Sequence, residues 1–87
     1  MIEVRVPSQL TAYTEGATRV SAKGATVDDV LHDLDQRFRG IRFRVIDEQG
    51  RVRRHMRIFL GREAVVDLAQ PVRAGDSLMI FGALSGG

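Results

Sequence analysis

Apolar and polar residues alternate at the start of the chain, over residues 2–6 (IEVRV). Such alternation places successive side chains on opposite faces of a half-buried β-strand, and Pro7 ends the pattern. A shorter alternating segment at residues 18–22, with Val20 directed inward, predicts a second strand. Because only a loop at residues 8–16 separates the two segments, we expect them to form a hairpin.

The next segment has the periodicity of an amphipathic helix. Thr26 is a predicted N-cap, Asp29 occupies the reciprocal capping-box position, and Gly40 is expected to end the helix. Apolar residues at i, i+3, i+4, i+7 and i+11 form one stripe that would face a core. The stripe consists of Val27, Val30, Leu31, Leu34 and Phe38.

The second half of the chain reads as short segments separated by turns. Residues 41–46 (IRFRVI) alternate and predict a strand, with a short helical turn as the alternative. Residues 56–60 (MRIFL) and the largely apolar residues 77–81 (SLMIF) predict two further strands. Residues 65–68 predict a short strand or helical turn. Turns are predicted at 47–50, 61–63 and 74–76.

This order of elements predicts an α+β fold of the β-grasp, or ubiquitin-like, type. A mixed sheet of about four to five strands would pack against one main helix, because the apolar stripe needs a sheet face to cover. The apolar last strand is expected at the centre of the sheet, beside the first strand. We predict a β-grasp domain at residues 1–81 and a flexible C-terminal Gly-Gly tail at residues 82–87.

Several classes of function are disfavoured by what the sequence lacks. It has no cysteine, so disulfides, thiol nucleophiles and thiolate metal sites are excluded, and His32 and His55 alone predict no metal site. Without a membrane-length apolar run or a signal-like start, we expect a cytoplasmic protein that is a monomer alone and has no membrane partner. No nucleotide-binding fingerprint or paired nucleophile and base is evident, so we expect no enzyme activity and no bound cofactor.

Arginine dominates the basic residues, with twelve arginines against one lysine, Lys23. Eight of the arginines lie in residues 37–57. One interpretation of this segment is a solvated face with ion pairs to Asp33, Asp35, Asp47 and Glu48. The other is docking to an acidic partner, for which the candidate residues are Arg42, Arg44, Arg51, Arg53 and Arg54.

A nucleic-acid partner is not expected from this segment. Its aromatic residues are Phe38 and Phe43, both of which fit the predicted core pattern, so no stacking platform is evident. With a single lysine, the chain is also a poor acceptor for lysine-linked modification, and any conjugation role would be that of a donor.

Four segments together carry a family resemblance. They are GATVDDVL at 24–31, IFLGRE at 58–63, PVRAGDSL at 71–78 and SGG at 85–87. In this order and spacing they resemble the MoaD/ThiS family of ubiquitin-like sulfur carriers over essentially the whole chain. The sequence departs from the family at Leu60-Gly61, where an Asn-Gly pair is frequent, and at Gly82-Ala83, where many members have two prolines. The Arg-rich segment is similar to that of longer members, including carriers used in cysteine biosynthesis.

The resemblance implies that the chain is a co-substrate whose terminal carboxylate carries sulfur. An ionised carboxylate is a poor electrophile and must first be activated. The family's chemistry implies that a ubiquitin-activating-type enzyme uses ATP to adenylate Gly87, and that a persulfide or sulfide donor displaces AMP to leave a thiocarboxylate. This group would donate sulfur to a second enzyme that makes cysteine, molybdopterin, thiamine or another sulfur-containing metabolite. The residues implied to bind the partner enzyme are Gly82, Ala83, Leu84, Ser85 and Gly86.

The folded body is expected to add binding area to that tail, because ordering a tail on docking costs conformational entropy. An exposed sheet face and the basic segment are the candidates. The alternative function is a ubiquitin-like binding module that works through its sheet or its Arg-rich face and has an incidental tail.

Overall fold

The structure is a computed structural model that describes residues 1–82. This part of the chain contains five β-strands and two α-helices. The helices are α1 (Val27–Arg37) and α2 (Ile41–Val45), and a 3₁₀ helix covers Ser8–Leu10. The strands are β1 (Ile2–Arg5), β2 (Arg19–Ala22), β3 (Met56–Leu60), β4 (Glu63–Ala64) and β5 (Ser77–Gly82).

The strands form one sheet in the order β2-β1-β5-β3-β4. β1 and β5 are parallel, and the other neighbouring pairs are antiparallel. Parallel pairing of the first and last strands requires a long crossover, which the chain supplies between β2 and β5. The predicted β-grasp fold is confirmed, as is the central position of the last strand.

The apolar stripe of α1 covers one face of the sheet. Val27, Val30 and Leu34 are fully buried against it, together with Val4 of β1 and Leu78 of β5. Burying side chains of this size contributes about 1.5–3 kcal/mol each, so this layer is the main source of stability. Phe38, which ends the predicted stripe, is the C-cap of α1 and packs against the core while half-buried.

Thr26 caps the start of α1 as predicted, whereas the Asp29 side chain bonds to the amide one residue before the N-cap. Thr26 Oγ1 accepts a hydrogen bond from the Asp29 amide at 3.1 Å, and Asp29 Oδ2 accepts one from the Ala25 amide at 3.2 Å. The chain approaches the helix closely just before this cap. A Cβ on Gly24 would lie 2.6 Å from Asp29 Cβ and 2.8 Å from the Val30 nitrogen, which explains why glycine opens the segment 24–31.

Residues 41–45 form the short helix α2, so the predicted strand was wrong and the alternative of a short helical turn is confirmed, while Ile46 is extended and bridges Val52. α1 ends at Arg37 with Phe38 as its C-cap, before the predicted end at Gly40. Gly40 is instead the left-handed N-cap of α2 (φ 96°), and Asp35 Oδ1 accepts hydrogen bonds from the Gly40 and Arg42 amides, each at 3.1 Å. In a helix Ile41 and Val45 share one face, and both are buried. Phe43 points away and is 54% exposed, so its predicted place in the core was also wrong.

The segment between β3 and β5 contains less regular structure than predicted. The predicted turn at 61–63 is shorter, because β4 begins at Glu63 and pairs back on β3. Residues 65–68 form neither a strand nor a helical turn; Val65 is buried and Val66 is 90% exposed. Within residues 1–82, no helix is long and apolar enough to cross a membrane.

Candidate functional site

The root of the predicted tail is held by β5 at the centre of the sheet. β1 pairs with β5 as far as Met79, and β3 pairs with it up to the final register position, Met56 opposite Gly82. The predicted tail therefore follows a strand that pairs with neighbours on both sides as far as Met79 and with β3 alone at Phe81 and Gly82. The predicted tail residues Ala83, Leu84, Ser85, Gly86 and Gly87 lie outside the described residues.

Gly82 belongs to β5, so the strand extends one residue beyond the predicted end at Phe81. The 3₁₀ helix places the Gln9 side chain directly over Gly82, in the space that a Cβ there would occupy. The division between a domain at 1–81 and a tail at 82–87 stays a prediction, but Gly82 itself is part of the sheet.

The sheet face that α1 leaves uncovered carries an aromatic cluster beside this root. The Phe59 and Phe81 rings meet edge to face, with centroids 5.7 Å apart. Met79 lies opposite Phe59 in the register, and Phe81 is 43% exposed. We refer to the surface formed by Arg5, Arg19, Arg57, Phe59, Met79 and Phe81 as the open face.

The open face combines apolar area with cationic edges. Arg5 and Arg19 lie opposite each other on β1 and β2, and both line a shallow depression of about 320 Å³ next to Phe81. Arg19 also pairs with Glu3 at 3.6 Å. The sequence predicted an exposed sheet face without naming Phe59 or Phe81. The signal was present in β5, where apolar residues occupy both faces of the alternation although only one face meets α1.

A second concave surface lies on the other side of the root. It has a volume of about 530 Å³ and opens beside Gly82, between the 3₁₀ helix, α2 and the start of β3. We call it the tail-root groove. Its lining residues are Gln9, Leu10, Phe43, Arg44, Arg53, His55, Met56 and Gly82.

The structure separates the five candidate docking arginines. Arg44 and Arg53 both line the tail-root groove. Arg42 is directed elsewhere, because its Nη2 donates to Asp28 Oδ1 at 2.8 Å and joins α2 to the start of α1. Arg51 donates to the Gln49 side chain, and Arg54 is exposed. Their docking role stays a prediction, and the geometry brings only Arg44 and Arg53 to the root of the tail.

The acids proposed as partners of the arginine segment act mostly on backbone amides. Asp33 does pair with Arg37 at 3.3 Å, as one interpretation expected. Asp35 instead caps α2. Asp47 Oδ1 accepts from the Gln49 amide at 2.9 Å and the Arg51 amide at 3.0 Å. The Arg51 amide is the largest cause of a lowered pKa for the Asp47 carboxyl, with smaller contributions from the Gln49 amide and from the Arg51 and Arg53 charges.

The two histidines, His32 and His55, lie in different parts of the structure. His32 lies on α1 with Nε2 3.5 Å from Asp28 Oδ2, and His55 is exposed in the tail-root groove. In the part of the chain that the structure describes, no group of three or more His, Asp or Glu residues is arranged to hold a metal. This arrangement places two concave surfaces, both candidates for binding, on either side of the C-terminal end of β5.

Comparisons with known proteins identify relatives over nearly the whole length. A protein-family model described as the ThiS family matches residues 4–87. The sulfur carrier protein CysO of Mycobacterium tuberculosis (strain H37Rv) is 34% identical over 91 aligned residues, which cover 99% of this chain and 98% of CysO.

Solved structures agree with the sequence matches. The crystal structure of the BexX/CysO complex of Amycolatopsis orientalis contains a chain that is 33% identical, with a TM-score of 0.92 and complete coverage of both chains. SAMP1 of Haloferax volcanii is 30% identical, with a TM-score of 0.78 over 99% of this chain and 98% of its own.

Proposed function

Since this chain belongs to the ThiS family and is a sulfur carrier, we propose that the carboxylate of Gly87 is the group that carries the sulfur. The observation that supports this site is the extent of the family match, which runs through residue 87 and so includes Ser85-Gly86-Gly87. A carrier is consumed and regenerated by other proteins, and the chain is accordingly a co-substrate and not an enzyme.

The proposed cycle has three steps. The Gly87 carboxylate attacks the α-phosphorus of ATP on an adenylating enzyme of the ubiquitin-activating type, and pyrophosphate leaves. Sulfide then attacks the carbonyl carbon of the acyl adenylate, the bond to AMP breaks, and a thiocarboxylate remains. In the transfer step this ionised sulfur displaces a leaving group from a carbon of the acceptor substrate, which gives a thioester between Gly87 and the substrate. Hydrolysis of the acyl C–S bond returns the Gly87 carboxylate and leaves the sulfur on the product as a thiol. ATP belongs to the adenylating enzyme, and the carrier itself holds no cofactor in this proposal.

The tail and the open face have separate roles in that cycle. Residues without large side chains, Gly86 and Gly87 above all, fit a narrow channel in the partner enzyme. Phe59, Met79 and Phe81 supply an apolar contact area beside the root, which offsets the entropy lost when the tail is ordered. The complex of BexX with CysO from Amycolatopsis orientalis supports the idea that a carrier of this type is used while bound to another protein.

The acceptor pathway is proposed from the sequence. The resemblance to carriers used in cysteine biosynthesis makes a cysteine-forming enzyme the first acceptor to test, before enzymes of molybdopterin or thiamine synthesis. Because the cycle consumes ATP, we place it in the cytoplasm. The alternative of a binding module with an incidental tail is not favoured, because the similarity to sulfur carriers extends through the diglycine.

Intact-protein mass spectrometry tests the proposal. The carrier is incubated with ATP, sulfide and its cognate adenylating enzyme, and we expect a gain of about 16 Da at the C-terminus as sulfur replaces oxygen. Deletion of Gly86-Gly87 should abolish the gain. If the wild-type mass never changes while the enzyme is active on another carrier, the proposal is wrong.

A tail extended by one alanine is the geometric control. The added residue moves the reacting carboxylate by about 3.3–3.6 Å, which is enough to misplace it in a preorganised site. We expect no mass gain unless a peptidase removes the alanine. A mass gain on the intact extended chain would contradict the assignment to Gly87.

A further inference from the structure

The tail-root groove contains two arginines, Arg44 and Arg53, that form no salt bridge in the described part of the chain, although the Arg53 charge contributes to the lowered pKa of the Asp47 carboxyl. Within residues 1–82, the salt bridges are formed by Arg19, Arg37 and Arg42, and His32 Nε2 lies 3.5 Å from Asp28 Oδ2. Arg44, Arg53 and His55 line the groove without belonging to any of these pairs. No carboxylate is among the lining residues, so the groove presents a cationic surface to whatever approaches the root of the tail.

Arg53 is held in place before any partner arrives. Its Nε donates to the Phe43 carbonyl at 2.6 Å, and its guanidinium carbon lies 4.4 Å from the centre of the Phe43 ring. A guanidinium fixed in this way loses little side-chain entropy when it binds a carboxylate, and its remaining N–H groups can form a bidentate contact. Phe43 adds apolar area, since 54% of its surface is exposed.

The groove also lies where a partner must come close. Five residues, 83–87, follow Gly82, so Gly87 can lie at most about 18 Å from it. An enzyme that takes Gly87 into a buried reactive centre therefore brings the entrance of its channel to the surface around Gly82. Gly82 is itself part of the groove lining.

We infer that the tail-root groove receives an acidic segment from the entrance of the adenylating enzyme, with a carboxylate against Arg44 and Arg53 and an apolar side chain against Phe43. This inference rests on the proposed function and adds a second contact, on the opposite side of β5 from the open face. Charge complementarity supports it, because a cationic rim next to a tail that must be threaded steers an anionic entrance towards it.

Charge reversal tests the inference. The double variant Arg44→Glu/Arg53→Glu is compared with Arg62→Glu/Arg73→Glu, which changes the net charge equally. Arg62 follows β3 and Arg73 precedes β5, so both lie at the end of the sheet away from Gly82. We expect the Kd for the adenylating enzyme to rise at least about tenfold in the groove variant and less than about twofold in the control. Raising the salt concentration should reduce the difference in Kd between the wild type and the groove variant.

Folding and chemistry are monitored in the same samples. Circular dichroism establishes that each variant is folded, and Arg44→Glu alone serves if the double variant is not, since Arg44 is exposed. Wild-type carrier that binds the enzyme but never gains sulfur would refute the proposed function while the Kd comparison still tests the groove. Equal Kd values for the wild type and the groove variant would refute docking of the enzyme in the groove. Binding to duplex DNA is measured in parallel, and a groove variant that binds DNA less well but binds the enzyme as well as the wild type would also refute the inference.

Carbodiimide cross-linking identifies the acidic group directly. Arg44→Lys places a primary amine in the groove of a chain whose other side-chain amine is Lys23, and Arg62→Lys is the matched control. We expect a cross-link from position 44 to an Asp or Glu of the adenylating enzyme that is absent from the Arg62→Lys control. An Arg44→Lys carrier that is adenylated normally but gives no such cross-link would contradict the inference.

Discussion

Asp47 organises the turn between α2 and β3 with one carboxylate oxygen. That oxygen accepts from the amides of Gln49 and Arg51, and the Asp47 amide donates to the Arg51 carbonyl at 2.8 Å. Both amides favour the ionised carboxylate, which is why its pKa lies below the ordinary value of 3.8. The same turn positions Arg53, so a single side chain connects local turn geometry with the tail-root groove.

The lowered pKa makes a prediction about stability and pH. A carboxyl whose pKa is lower in the folded state stabilises that state above its unfolded pKa, and the contribution is lost as the pH falls through the folded pKa. We therefore expect Asp47→Asn to be less stable than the wild type at pH 7, and the difference to shrink at about pH 3. Urea denaturation at both pH values measures it.

Glu48→Gln is the control for that experiment. It removes a charge from the same turn but leaves the two hydrogen bonds of Asp47 in place. We expect Glu48→Gln to lower the free energy of unfolding at pH 7 by less than Asp47→Asn does. A stability difference between Asp47→Asn and the wild type that is the same at both pH values would show that the carboxylate charge has no part in it.

At the scale of elements, periodicity was informative where one face of an element is buried. The stripe of α1 and the strands at both ends of the chain were readable for this reason. Residues 41–46 show where the pattern fails, because Ile41 and Val45 are four residues apart and satisfy helical as well as alternating spacing. The deciding contacts are the amide hydrogen bonds to Asp35, which sequence periodicity does not encode.

That ambiguity also limited prediction of the site. The diglycine and the central last strand were readable from the sequence. The tail-root groove was not, because Phe43 and Arg44 reach it only when residues 41–45 are helical. The pairing of Phe59 with Phe81 likewise depends on the register between β3 and β5, which no local pattern specifies.

The conformation of α2 can be tested by two truncations. In a helix Ile41 is buried and Phe43 exposed, whereas a strand would place both side chains on one face. We expect Ile41→Ala to lower the free energy of unfolding by about 2–5 kcal/mol, the usual cost of a cavity in a core. Phe43→Ala should cost about 1 kcal/mol or less, mainly through the lost contact with Arg53. Similar losses for the two variants, measured by urea denaturation, would contradict the helix.

At the scale of the whole molecule, the central strand β5 separates a packed side from the open face, and the tail-root groove lies at the Gly82 end of the packed side. β5 runs through the centre of the sheet, and its residues alternate between the layer under α1 and the open face. β5 is therefore stabilised by one set of side chains and exposes another set, which we propose for docking to a partner. On this proposal, a carrier of 87 residues gains binding area without giving up core residues.

Substitutions at the neighbouring residues Ile80 and Phe81 can distinguish the contribution of β5 to stability from its contribution to docking. Ile80 is 3% exposed and belongs to the hydrophobic core, and Phe81 is 43% exposed on the open face. We expect Ile80→Ala to lose about 2–5 kcal/mol of stability, with an unchanged KM for adenylation in samples that remain folded. Phe81→Ala should cost about 0.5–1.5 kcal/mol, the value of an edge-to-face pair, but raise the KM about tenfold. Denaturation curves give the stability of each variant, and pyrophosphate release with the adenylating enzyme gives the KM.

If Phe81→Ala left the KM unchanged, the open face would have no part in docking, and binding would have to come from the tail and the tail-root groove alone.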